Sequence, residues 1–184
     1  MNELVSELKE EFLVKIGDKA PDFVLDSVEG EKWRLSDQLG SVTALLFYPK
    51  DETLVCTKQM CSVRDNWSEY LKTKAVVVGI SQGTVEDHRR FSQRHQLPLP
   101  LLADESRKIT RKYGWHWILP VNFTRAIVVI DSTGVIRYRK VMLRAFRPTD
   151  KSVLTSIYAA RTDALQSRFR KILRESNEGN KSMN

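Results

Sequence analysis

The chain has 184 residues, 41% apolar and 29% charged with eight Gly and six Pro, a balance that suits one globular domain and excludes fibrous and disordered classes. Its formal charge of +7 is unevenly placed: residues 1–136 carry 18 basic against 19 acidic side chains, and residues 137–184 carry 12 against 4. The apolar runs Val42 to Tyr48 and Ala126 to Ile130 are far too short to cross a bilayer, so both read as buried strands and no membrane partner is expected.

Residues 1–16 read as an N-terminal extension, with the pattern of a short amphipathic helix over 2–12. The opening MNELVSELKEEFLVKIG holds four Glu in its first eleven residues and no apolar run, unlike a secretory signal, so a location in the cytoplasm is expected. Gly17-Asp18-Lys19-Ala20-Pro21 marks a turn into the domain proper, residues 17–175. Phe23 to Leu25 and Val28 to Trp33, with Gly30 at the turn, predict an N-terminal β-hairpin that decorates the core, and Ser36 or Asp37 starts a short helical segment.

From there strands and helices alternate. The pattern predicts strand 42–48, helix 54–72, strand 75–80, helix 84–95, an extended piece at 99–102 and helix 105–112. Strand 126–130, a Ser132-Thr133-Gly134 turn, strand 135–141 and helix 150–173 follow. Strands separated by such helices imply crossovers, hence an α/β fold with a central mixed sheet flanked by helices, while the Gly134 turn implies an antiparallel pair at one edge. The last helix places Val153, Leu154, Ile157, Tyr158, Leu165, Phe169, Ile172 and Leu173 near a helical period, with one face inward and most of its arginines off that stripe. Residues 176–184 are expected to form a flexible tail.

The two cysteines, Cys56 and Cys61, share one predicted helix. Cys56 follows the polar turn Pro49 to Val55 that leaves the carboxyl end of strand 42–48, where open sheets place ligands. In the first turn of a helix beginning near Thr53, its sulfur meets unpaired amides and the positive end of the dipole, a setting that favours a thiolate. Thr53 fits two roles, an N-cap and a hydroxyl donor at a reactive sulfur, and Pro49 fits a strand terminator or a shield for the thiolate. Two Cys with His88, His95 and His116 make no structural zinc spacing, and the pair is not C-x-x-C. Peroxide chemistry needs a reactive thiolate, donors aimed at the peroxide oxygens and a second thiol to regenerate the first.

FYPKDETLVCTKQMC, with its P-x-x-x-T-x-x-C spacing and a second Cys five positions on, resembles the signature of the peroxiredoxins, and among them the bacterioferritin-comigratory or Q-type, atypical two-cysteine group. The resemblance continues through VVVGIS, HRRFSQRHQLPLPLLAD, KYG and RAIVVIDSTGVI, covering about residues 17 to 141 in order. It implies a thioredoxin-like fold and a peroxidase that reduces hydrogen peroxide or organic hydroperoxides, with electrons from thioredoxin or a related dithiol reductant and no metal, haem or flavin. Carried over residue by residue, it implies that Cys56 is the peroxidatic cysteine in a pocket shaped by Pro49 and Thr53. Cys61 is then the resolving cysteine, joining Cys56 in an intrachain disulfide, and Arg125, just before the strand 126–130, pairs with the thiolate. Leu54 stands where the group often has Pro, and the stretch Gly114 to Pro120 and the basic C-terminal region depart from its simple pattern.

The competing reading is a nucleic-acid or anionic-surface binding protein working through the basic C-terminal region. No aromatic interleaving or DNA-reading helix supports it, so nucleic acid is not the expected partner, and the charge reads first as a solvated helix face. A monomer is expected, with a dimer through the N-terminal segment or the Trp115 and Trp117 region as the alternative; at least one of these Trp reads as packing. Residues five apart on a helix lie about 140° apart around it and roughly 9 Å apart between Cα atoms. That exceeds the roughly 7 Å reach of a disulfide, so joining Cys56 to Cys61 requires the helix to unwind locally.

Overall fold

Strand β3 (Thr43–Phe47) is buried at every position, which is why its sequence is a continuous apolar run and not an alternating one. It pairs in parallel with β4 (Val76–Ser81) on one side and antiparallel with β6 (Thr124–Ile130) on the other. The structure, a computed structural model, describes residues 13–114 and 124–181. The expected helix at 2–12 and the expectations for Trp115, His116 and Trp117 fall outside these.

Beyond β4 lies β5 (Leu101–Ala103), again parallel, and beyond β6 its hairpin partner β7 (Ile136–Leu143), through a turn in which Gly134 has φ +82°. The N-terminal hairpin, β1 (Val24–Ser27) and β2 (Lys32–Arg34), is more than a decoration: β1 pairs antiparallel with β5, giving a seven-stranded sheet in the order β2-β1-β5-β4-β3-β6-β7. Phe23 and Leu35, at the hairpin's ends, are buried in the core. A single 3-10 turn, Ser36–Gln38, follows.

The sheet is covered on both faces. Ala44, Leu46 and Tyr48 point to one side, where Met60 and Val63 of α1 (Leu54–Asp65), Tyr70 of α2 (Trp67–Lys72), Phe91 of α3 (Val85–His95) and Val153, Ile157 and Ala160 of α5 (Asp150–Lys181) pack. Leu45 and Phe47 point to the other, against Tyr113 of α4 (Lys108–Tyr113) and the N-terminal segment. Gly79 of β4 explains the odd residue in VVVGIS: a Cβ there would stand 2.7 Å from Leu101 Cδ2 and 3.3 Å from the Tyr48 ring.

Two expectations need correction. Helix 54–72 is two helices, broken at Asn66, whose side-chain amide turns back to the Ser62 carbonyl at 2.9 Å. Asp150, at the start of α5, gathers that corner, accepting from Ser62 Oγ (2.5 Å), Tyr70 Oη (2.7 Å) and Asn66 Nδ2 (3.3 Å). The second correction concerns α5, which runs on to Lys181 and buries only its first half. Val153, Ile157, Ala160 and Ala164 face the sheet, whereas Tyr158, Leu165, Phe169, Ile172 and Leu173 are exposed. At 1.5 Å per residue a helix of this length spans about 48 Å, while a strand such as β7 covers only about 27 Å, so among the described residues no sheet layer reaches its far half.

Candidate active site

The polar turn after β3 is held from beneath. Tyr48 Oη donates to Asp51 Oδ1 (2.8 Å), and His88 Nδ1 donates to Asp51 Oδ2 (2.5 Å), with His88 Nε2 3.3 Å from the Ser81 carbonyl. All three side chains are buried. Burial first, and the Asp51 charge second, push the Tyr48 phenol well above its ordinary range, which keeps it the donor. Glu52 follows with φ +58°, a left-handed conformation that non-glycine residues rarely adopt, and Thr53 caps α1 with extended backbone.

Thr53 occupies the N-cap position but its hydroxyl does not cap the helix; it donates to the Lys50 carbonyl at 3.4 Å. Cys56 is the third residue of α1, so its amide has no acceptor within the helix. Cys56, Gln59, Met60 and Val63 form the buried stripe of α1, at helical spacing. Pro49, Thr53, Cys56 and Arg125 come together around an open cleft of about 570 Å³, whose wall also includes Leu54, Val55 and Arg144. Four of the five residues singled out from the sequence therefore share one site.

Arg125 lies inside β6 and not before it, and it is 1% exposed. Its Nη2 is 3.3 Å from Cys56 Sγ and 3.3 Å from the Arg144 carbonyl, while Nη1 donates to Gln59 Oε1. Among the described residues, no carboxylate forms an ion pair with this guanidinium, and its Nε has no acceptor. A buried cation needs a counter-charge, and the group beside it is the sulfur of Cys56.

Cys61 is the fifth residue and stands apart. It is half-buried on another side of the same uninterrupted helix, with Sγ 4.0 Å from His95 Nδ1, and both thiols are free. The sequence reading missed three things. Gln59 was detectable as the residue one turn after Cys56 on the same face. The contacts of Asp51 with His88 and of Cys61 with His95 join residues more than 30 positions apart, and no local pattern announces them.

With this geometry in view, the comparisons with known proteins are specific. A model of the AhpC/TSA family matches residues 16–139. Peroxiredoxin Bcp of Bacillus subtilis is 36% identical over 140 residues, 71% of this chain and 88% of that protein. The chloroplastic peroxiredoxin Q of Triticum aestivum is 37% identical over 129 residues, 68% of this chain but 58% of that longer protein. The crystal structure of peroxidoxin BcpB from Mycobacterium tuberculosis superposes with a TM-score of 0.68 at 29% identity, covering 80% of this chain and 99% of that one. The fold alone is shared with a peroxiredoxin 6 of Arenicola marina, at 21% identity and a TM-score of 0.69. The chain thus belongs to the AhpC/TSA family, as a peroxiredoxin of the Bcp or Q type with a thioredoxin-like fold and the chemistry of a thiol peroxidase.

Proposed function

We propose that Cys56 attacks hydrogen peroxide or an organic hydroperoxide, that Cys61 resolves the product as an intrachain disulfide, and that thioredoxin or a related dithiol protein restores both thiols. The observation that carries this reading is the buried Arg125 guanidinium, 3.3 Å from Cys56 Sγ and without a carboxylate partner among the described residues.

The thiolate is the nucleophile. Its sulfur bonds to one peroxide oxygen as the O–O bond breaks, leaving Cys56 as a sulfenic acid, and the departing oxygen takes a proton to leave as water or alcohol. Negative charge builds on that oxygen in the transition state, where preorganised donors lower the barrier. The Arg125 guanidinium stands at the sulfur, and two further donors are proposed for the peroxide: the Cys56 amide at the helix start and the hydroxyl of Thr53, which lines the same cleft and makes only a long contact with Lys50. Pro49 fixes the loop and shields one side of the thiolate, and Leu54 and Val55 give the cleft an apolar wall for the organic part of a hydroperoxide.

Resolution demands a different shape. Cys56 and Cys61 lie five apart in α1, beyond disulfide reach for the roughly 9 Å that helical geometry sets between their Cα atoms. The helix therefore opens locally after the first step, and slow opening would let excess peroxide carry the sulfenic acid on to sulfinic acid. Because one chain supplies both sulfurs, the proposed working unit is a monomer, and the proposed recycling by a dithiol protein suits a reducing compartment such as the cytoplasm.

The test follows NADPH consumption with thioredoxin, its reductase and a panel of peroxides. Steady consumption that disappears in Cys56→Ser is expected, and a wild-type protein that accelerates the reduction of no peroxide overturns the reading. Hydrogen exchange tests the opening: amides of residues 54–64 should lose protection in the oxidised protein, and an uninterrupted helix in a verified Cys56–Cys61 disulfide would refute it.

A further inference from the structure

Cys61 lies in the eighth position of α1, away from the helix start, and Arg125 bonds Cys56 rather than it. What the fold puts beside Cys61 is the last residue of α3. His95 Nδ1 is 4.0 Å from Cys61 Sγ, at the outer limit of a sulfur hydrogen bond, and His95 Nε2 is 3.4 Å from Glu52 Oε2. The loop before α1, α1 itself and the distant end of α3 thus line up carboxylate, thiol and imidazole.

Glu52 and His95 are each held by a further contact. Arg94 Nη1 donates to the other Glu52 oxygen at 3.0 Å. Arg64 Nη1 donates to the His95 carbonyl at 2.8 Å, and the imidazole rests edge-on against Phe91 with ring centroids 4.9 Å apart. Glu52 reaches α3 from the unusual left-handed backbone noted above, in the loop that also carries Pro49 and Thr53. The Arg64 guanidinium, which also bears on Cys61, is itself engaged by Asp65 at 2.8 Å.

We propose that His95 is the general base of the resolving step and that Glu52 is its positioning residue. The inference rests on the reading of Cys61 as the resolving thiol. A carboxylate only accepts, so Glu52 fixes the proton on Nε2 and leaves the Nδ1 lone pair facing the thiol. The Cys61 proton passes to Nδ1, and the resulting thiolate attacks the Cys56 sulfur. The S–S bond forms as the S–O bond of the sulfenic acid breaks, and the departing hydroxide recovers a proton from the imidazolium through solvent, leaving as water. Cys61 is oxidised, the Cys56 sulfur is reduced, and His95 returns to its neutral form. With its side chain 21% exposed, His95 exchanges protons with water in every cycle.

The experiment separates the two chemical steps. Reduced protein is mixed with one equivalent of hydrogen peroxide and quenched at intervals, and mass spectrometry counts sulfenic acid and disulfide. His95→Gln should slow disulfide formation by roughly 10²-fold, the lower end of what general bases contribute. Its rate of sulfenic acid formation should match wild type, the acidic limb should vanish from the pH profile of disulfide formation, and added imidazole should restore part of the rate. Glu52→Gln should slow the same step less and keep the acidic limb. A His95→Gln protein that forms sulfenic acid normally, with the wild-type rate and pH profile of disulfide formation, overturns this proposal and leaves the peroxidase reading standing. A wild-type Cys56 that forms no sulfenic acid overturns the peroxidase reading itself.

Discussion

The two ends of α1 treat their cysteines in opposite ways. At the start of the helix Cys56 is sealed, 1% exposed, with a guanidinium fixed at its sulfur by Gln59 and the Arg144 carbonyl. Toward the other end Cys61 is half-buried, with a partly exposed imidazole on a neighbouring helix 4.0 Å from its sulfur. A sulfur that must meet a small diffusing molecule is served by rigid, preorganised donors, since reorganising them during the reaction raises the barrier. A sulfur that must travel to another is served by looser contacts that break at little cost. In the proposed cycle the one helix is therefore firm where the first step takes place and yielding where the second begins.

Substitutions can break this contrast from either end. The largest effect is expected from Cys61→Ser, which should leave the first oxidation of Cys56 at its wild-type rate, abolish thioredoxin-dependent turnover and accumulate sulfinic acid at excess peroxide, as read by mass spectrometry. Next is Arg125→Met at the firm end. Stopped-flow measurement should show a loss of roughly 10²- to 10³-fold in the peroxide rate, the usual consequence of removing one such donor. Its thermal stability should hold, because an apolar side chain of similar length replaces a buried charge that has no carboxylate partner among the described residues. His88→Leu strikes the support beneath the loop. With Asp51 left buried and short of one hydrogen-bond donor, denaturant unfolding should show a loss of about 1–3 kcal/mol.

The smallest effect sharpens the comparison by lying outside it. Asp131 accepts from the Thr133 hydroxyl (2.6 Å), the Val135 amide (3.0 Å) and Arg137 Nε (2.6 Å) in the turn between β6 and β7. Burial pushes its carboxyl up, but these bonds outweigh burial and hold it below the ordinary range. A lowered value in the folded protein means that its stabilisation is complete above about pH 4 and disappears as the pH falls through the folded value. Asp131→Asn should cost about 1–3 kcal/mol at neutral pH and flatten the acid limb of stability, while the rate at Cys56 stays at the wild-type level.

Much of this molecule was legible from local pattern. The apolar run of β3, the turn after it and the apolar spacing of α1 pointed to the sheet and to a reactive Cys56, because burial and helical period leave their marks within a few residues. What stayed hidden depends on distant groups. A propensity argument runs the helix through Asn66, and only Asp150, more than 80 positions away, explains the break. Arg125 alone reads as a strand-end charge facing water, and only the sheet register carries it under Cys56. The outer half of α5 has the period of a buried face, and its length carries it beyond the sheet, so among the described residues nothing covers it.

The Asp150 clamp has a consequence for how quickly the enzyme can reset. By tying Ser62, Asn66 and Tyr70 to the start of α5, it pins the last turn of α1 and the whole of α2 to the body of the protein. When the segment around Cys56 and Cys61 comes undone in the proposed cycle, the amides of residues 62–64 lose their acceptors, but the turn closed by the Asn66 amide on the Ser62 carbonyl stays as a seed. Starting a helix afresh carries a penalty of about 10⁻³ in equilibrium terms, whereas adding residues to an existing turn takes on the order of nanoseconds each. Once the reductant of the proposed cycle releases the disulfide, α1 needs only to grow backwards from its clamped end, so rewinding is elongation without nucleation.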